Sequence, residues 1–368
     1  LVQQLPRSQA FLLDAARNPA RSGDEAAMAL ARAGGPTTLK DLLKLWAGEP
    51  RAAERSAFRD SVAMAFRRGG TGSAAVVEQW VEQDAPSVQA RAGASLALAK
   101  VPEGKASAAR LIESSLGLAQ EFPERWRLVL AASQLPADPK TDAWLAALVA
   151  SAEEWMLRSA ALDALEARRT PAAVPAAKAA LQDAYPRVRA RALRVLANDR
   201  ESIDVLVNYA RKDEWFLVRA ASLAVLPDAP GGRAAMVESL HDPSPIVRTA
   251  AIRALRRVQA KDVWASVEPL VSNTEEYPDV IGEGIAFARA LCIEAAAPTL
   301  QDVVKRGLRP NAWTADQELA FGALEALTHL GGANAKWSLQ RSAAPMVPAT
   351  IRTAAARAVN QLATCRPE

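Results

Sequence analysis

The sequence predicts an all-α protein, an α-solenoid of ten or eleven helix pairs running through residues 1–368 as a single body. Three observations predict it. An apolar residue followed by arginine returns at a nearly fixed interval, with arginines at 127, 158, 189, 219 and 248 in steps of 31, 31, 30 and 29. A period of this size marks supersecondary units that stack because none can bury its apolar face alone. Each period also holds two stretches of helical periodicity with Pro- and Asp-rich turns between them. Finally, no segment alternates apolar and polar residues as a half-buried strand would.

The elements follow in order. "DEAAMALARAGG" (24–35) reads as the end of an early unit, and Phe58-Arg59 stands 30 residues before Val88-Gln89. These copies, over 1–120, are loose. Residues 121–257 are regular. Trp126-Arg127, Leu157-Arg158, Val188-Arg189, Val218-Arg219 and Val247-Arg248 each begin a second helix, and most are followed by apolar residues at helical spacing, such as Ala192, Leu193 and Leu196. First helices are shorter, as in 174–183 and 203–213. The turns "DAYP", "DEW" and "HDPSP" stop one helix and start the next. Over 258–368 the pattern loosens again. Segments 278–292 and 317–332 fit as second helices without the arginine, and Ile351-Arg352 opens the last. The longest connections, 272–280 and 306–316, are the expected hinge loops.

The D-x5-R pairs, with V-R-x-x-A and a leucine following, resemble the HEAT repeat, and more closely the short bacterial HEAT-like form first named for phycobilisome lyases. The resemblance covers nearly the whole chain and is strongest over 121–257. It implies a right-handed α-solenoid of HEAT-like helix pairs, and it says little about function because such arrays serve many roles. It also implies a ladder of acidic and basic side chains along the stack, here Glu121, Arg127, Asp183, Arg189, Asp213, Arg219, Asp242 and Arg248. Each acid lies six residues before its arginine, whereas Arg158 has Glu153 at five.

A helical wheel agrees with a structural role for those arginines. With Val188 at zero, Ala192, Leu196 and Leu193 fall at about 40°, 80° and 140°, and Arg189 at about 100° lies inside this buried arc. A charge there needs a partner. Arg187, Arg191 and Arg194 fall opposite, at about 260°, 300° and 240°. Arg253, Arg256 and Arg257 take comparable positions two units later. With Ala220, Ala221 and Ala224 between them, these six arginines are the candidate binding residues. They are expected to line a basic concave groove about 20 Å long at 8–10 Å per helix layer. Residues 184–257 carry 13 Lys and Arg against 8 Asp and Glu, a net +5 in a chain of net +4.

Of the nine tryptophans, Trp155 and Trp215 occupy equivalent turns and are expected to pack between units. Trp46, Trp80, Trp144, Trp264 and Trp337 are expected in the core, and Trp313 is the candidate exposed anchor. Cys292 and Cys365 lack CxxC spacing and are too few for a disulfide framework, so buried thiols are expected, with one disulfide as the alternative. His241 and His329 have no ligand-spaced neighbours, so no metal site is expected. No nucleophile elbow, phosphate loop or dinucleotide motif is present, and neither a catalytic residue nor a cofactor is expected. No run of 18 apolar residues suggests a membrane span.

The function expected is a non-catalytic, monomeric scaffold that binds a protein or peptide with an acidic surface. Nucleic-acid binding through residues 184–257, resembling the HEAT-like DNA glycosylases, is the alternative. A lyase, or an accessory part of a larger enzyme, stands third. The chain opens at Leu1 with no signal-peptide pattern after it. It therefore reads as a processed form or an excised fragment, with a cytoplasmic location favoured over a secreted or periplasmic one.

Overall fold

The computed structural model describes residues 6–18, 21–49, 54–152, 154–307, 309, 312–344, 349–360, 362 and 365. Among the described residues are 22 α-helices, several short 3-10 turns and no strand. No helix among them is long and apolar enough to cross a membrane. Contacts divide the chain into two units, Leu1–Val195 and Leu196–Glu368. Each unit is a stack of helix pairs, and together they give eleven pairs.

The first unit holds α1 (Pro6–Ala16) and α2 (Arg21–Ala33), α3 (Pro36–Gly48) and α4 (Ser56–Arg68), α5 (Ser73–Gln83) and α6 (Val88–Ala99). It continues with α7 (Lys105–Glu113) and α8 (Phe122–Ala132), α9 (Pro139–Ser151) and α10 (Trp155–Ala167), α11 (Ala173–Ala180) and α12 (Pro186–Val195). Second helices pack on one another from α2 through α12, and first helices pack likewise from α3 through α11. The result is two layers with the core between them.

The second unit repeats this with α13 (Ile203–Lys212) and α14 (Phe216–Val225), α15 (Pro230–Glu238) and α16 (Pro245–Arg257), α17 (Trp264–Ser272) and α18 (Pro278–Ala290). Its last pairs are α19 (Ala297–Gly307) with α20 (Thr314–Leu330), and α21 (Gly332–Ser342) with α22 (Ala349–Asn360).

Local chemistry explains the boundaries. Proline stands in the first turn of α3, α8, α9, α16 and α18, where its missing N–H costs nothing. Asp138 caps α9 by accepting from the Thr141 N–H, and Ser87 caps α6 by accepting from Ala90. Gly331 ends α20 at φ +61° and Gly332 opens α21 at φ +73°, a left-handed turn that favours the Gly-Gly pair. The apolar residues after each Val-Arg pair form the core. Val188, Ala192, Leu193 and Leu196 are buried, as are Val218, Leu223 and Leu226, and Val247, Ala251, Ile252 and Leu255.

Some expectations are corrected. Trp46, Trp80 and Trp264 are in the core, but Trp144 is half-buried. Trp337 is 52% exposed, with the Arg341 guanidinium over its ring at 4.7 Å, because the α21 face that carries it points away from the stack. Cys292 and Cys365 are not thiols. They form a disulfide with a Cα–Cα distance of 5.8 Å, tying the end of α18 to the segment after α22. The 272–280 connection shrinks to Asn273–Tyr277, and Glu276 within it is fastened to Arg248 at 2.5 Å. In the 306–316 connection, Arg306 meets Asp316 at 3.1 Å, while residues 308, 310 and 311 lie outside the described residues.

Candidate functional site

Arginine dominates the chemistry between the helix pairs, and it does so twice. The first set stands in the first turn of the second helices α10, α12, α14 and α16. Arg158 donates from Nη1 to the Ala152 carbonyl at 2.9 Å, and from Nε and Nη2 to both oxygens of Asp183 at 2.6 and 2.8 Å. Arg219 donates to the Asp213 carbonyl at 2.9 Å and to both oxygens of Asp242 at 2.7 and 2.9 Å. Arg248 donates to the Asp242 carbonyl at 2.6 Å and to Glu276 at 2.5 Å. Arg189 donates to the Asp183 and Ala184 carbonyls at 2.9 and 3.3 Å.

The expected ladder is therefore wired differently. The six-residue spacing brings Arg189, Arg219 and Arg248 over the carbonyls of their own turns, and the Asp183 and Asp242 carboxylates are left to face the preceding repeat. Asp183 serves Arg158 and Asp242 serves Arg219, each as a bidentate pair between neighbours. The Asp183, Asp213 and Asp242 carboxylates also accept from N–H groups of their own turns, at Tyr185, Trp215 and Ser244 respectively, at 2.8–2.9 Å. Glu121 departs from the pattern. It forms a capping box with Glu124, while the buried Arg127 donates to the Pro123 carbonyl at 3.2 Å. Burial holds the Arg127 pKa below its ordinary value. Glu153, the expected partner of Arg158, lies outside the described residues.

Burial raises the Asp183 pKa, but the bonds from Arg158 and the Tyr185 N–H, with the charges of Arg158 and Arg189, outweigh it and leave the carboxyl below its ordinary 3.8. A depressed folded pKa contributes stability that is present above the unfolded value and lost as pH falls through the folded one. Asp183→Asn is therefore expected to cost about 1.5–3 kcal/mol near neutral pH. Urea titrations from pH 7 to 2 check this, and the gap to wild type is expected to close below about pH 4.

The second set, unforeseen from the sequence, stands at or just past the end of second helices and reaches back to the preceding one. Arg168 follows α10 and donates to the Ala132 and Leu135 carbonyls at 2.9 and 3.3 Å, to Asp142 at 2.7 Å and to Asp138 at 2.9 Å. Arg257 ends α16 and donates to the Leu226 carbonyl at 2.6 Å. Arg68 ends α4 and donates to the Arg32 carbonyl. Helix C-termini leave carbonyls unpaired and favour a cation, which is what these side chains supply.

These bonds alter the candidate basic face. Arg191 is not open to solvent but pairs with Asp163 and Glu166. Burial and the neighbouring Arg194 push its pKa down to about 10, which leaves it charged at neutral pH. Arg253 and Arg256 meet the two oxygens of Glu283 at 2.7 and 2.8 Å. Arg257 is committed to carbonyls. The wheel placed these residues away from the core, but acids on neighbouring helices rise to meet them. Arg187 and Arg194 are exposed. Arg187 lies over Trp155 at 5.5 Å, and Trp155 in turn stacks on Tyr185 at 4.6 Å.

A different surface feature recurs. Two positions before Arg158, Arg189, Arg219 and Arg248 stand Met156, Arg187, Leu217 and Ile246. All four are exposed, the apolar ones at 43%, 39% and 49%. Tyr185 and Trp215, four positions before their arginines, are exposed beside them, and Tyr277 is exposed ahead of α18. Within each unit these side chains mark the N-terminal edge of the second-helix layer. Trp313, ahead of α20, is 81% exposed. The wheel angle that picked out Arg187 also held Leu217 and Ile246, so this signal was readable.

Residues 141–227 match the family model described as HEAT repeats. No curated protein matches the chain. The X-ray structure of YibA from E. coli is similar over 65% of this chain and 87% of that one, with 18% sequence identity and a TM-score of 0.45.

Proposed function

We propose that this chain, built of HEAT-like repeats, is a non-catalytic scaffold that docks a protein partner along the exposed edge of its second helices. The observation that carries the reading is the equivalence of Met156, Leu217 and Ile246. One solvent-facing position bears a large apolar side chain in three of four consecutive units. Core packing does not call for these residues, and within the second unit the packing of α14 on α16 sets Leu217 and Ile246 on neighbouring helices as paired docking contacts. Within the first unit, Arg187 with its Trp155–Tyr185 stack offers the charged and aromatic side chains common at interface hot spots. Nucleic-acid binding is the weaker reading. Four of the six clustered arginines already serve acids or carbonyls, which leaves few free cations to displace counterions.

The test is a pull-down from native lysate with the full chain, with and without nuclease and at low and high salt. A Leu217→Glu/Ile246→Glu variant runs in parallel. The wild type is expected to retain a protein after nuclease treatment, and the variant to bind it roughly tenfold more weakly or worse, about 1.4 kcal/mol or more. The melting temperature should stay nearly unchanged, since exposed substitutions usually move stability by no more than about 0.5 kcal/mol. Nucleic acid recovered alone and released by salt would reverse the order of the two readings.

A further inference from the structure

The chain has only two cysteines and two histidines. Three of these four residues meet at one place in the second unit. Cys292 closes the C-terminus of α18 at φ +56°, with its N–H donating to the Arg289 carbonyl. His329 lies in the last turn of α20. Cys365 follows α22, its sulfur 3.9 Å from the Arg289 carbonyl. One ligand atom from each of the three lies within 4.8 Å of the others, and all three residues are half-buried. No sequence pattern joins them, and the packing of α18 and α22 against α20 alone brings them together.

We propose that Cys292, His329 and Cys365 form a redox-gated site for Zn(II) or a cation of the same borderline-soft class. In the oxidised chain the sulfurs are bonded to each other and neither is a thiolate, the form that binds metal. A dithiol reductant breaks the S–S bond. Two electrons and two protons convert the sulfurs to thiols, and the reductant leaves as its own disulfide. Zn(II) then displaces both thiol protons, and the neutral imidazole of His329 donates a ring nitrogen. Two thiolates balance the charge of the ion. Three protein ligands leave the fourth tetrahedral position for water or an incoming group. With Zn–S near 2.3 Å and Zn–N near 2.0 Å, the ligand atoms of such a site stand about 3.5–3.8 Å apart. That separation fits inside the observed 4.8 Å cluster, so little movement is needed once the disulfide opens. The same residues thus clasp the end of the chain to α18 in both redox states, through a disulfide in one and through a metal shared with α20 in the other.

The experiment uses the full chain, oxidised or reduced with a non-chelating phosphine under anaerobic conditions, and titrates Co(II) followed by competing Zn(II). The reduced wild type is expected to bind one Co(II) per chain with thiolate-to-cobalt charge-transfer absorption, which Zn(II) abolishes. Zn(II) is also expected to raise the melting temperature of the reduced chain and leave the oxidised chain unchanged. His329→Ala should weaken Co(II) binding at least tenfold, and Cys292→Ser/Cys365→Ser should abolish the charge transfer. Circular dichroism of each reduced, metal-free chain separates lost ligands from lost folding. The proposal is overturned by absence of binding to the reduced wild type, by equal binding to the oxidised chain, by no dependence on His329, or by no Zn(II) shift in melting.

Discussion

Replacing Arg168 by alanine is expected to destabilise the first unit by about 3–5 kcal/mol, the cost of stranding one member of a buried ion pair. Its side chain is entirely buried and Asp142, its nearest acid, is 10% exposed. Removing the guanidinium leaves that carboxylate without its partner and also frees the Ala132 and Leu135 carbonyls at the end of α8. Two consecutive helix pairs therefore loosen together. The control is a paired exchange, Arg168→Met with Asp142→Leu. Replacing both buried charges by apolar groups of similar size is often neutral or stabilising, so the double variant should lie well above Arg168→Ala. Urea unfolding of the two single variants and the pair completes the cycle. A loss below about 1 kcal/mol for Arg168→Ala would place this bond among ordinary surface pairs instead.

Opening the Cys292–Cys365 bond is expected to cost about 2–4 kcal/mol. The disulfide closes a loop of 73 residues, for which the chain-entropy relation gives about 4 kcal/mol, an upper figure because reduced chains keep residual structure. The effect belongs to the second unit, so hydrogen exchange should quicken in α18, α20 and α22 while the helices of the first unit keep their protection. Urea midpoints with and without reductant, in the presence of a chelator, measure it. The Cys292→Ser/Cys365→Ser variant should match the reduced wild type and ignore the reductant. Equal midpoints for oxidised and reduced wild type would mean that packing of α20 against α22 already holds the end of the chain.

The fold was legible because its signals are local. A repeated period, helical spacing and turn residues are all read within some thirty residues, and they yield the helix pairs and the burial of Arg189. The partners were not legible, because they sit in a neighbouring unit. The spacing of Asp183 and Arg189 is visible in the sequence, yet the carboxylate bonds Arg158, 25 residues earlier. Glu283 neutralises Arg253 from a helix that lacks the repeat's arginine, 30 residues away. Arg168 has no local pattern at all, since its partners lie 26–36 residues back. The three-residue cluster at Cys292 was hidden for the same reason. Its members are separated by almost the whole of the last two helix pairs, and only their convergence identifies them.

The interlocking of Arg158 with Asp183, and of Arg219 with Asp242, has a consequence for how such a gene can change. In each of these two pairs a guanidinium of one repeat bonds a carboxylate of the next. Duplicating or deleting whole periods elsewhere keeps that register, whereas an insertion of any other length between the two residues separates the guanidinium from its carboxylate. Growth by whole units is the change in length that this wiring tolerates.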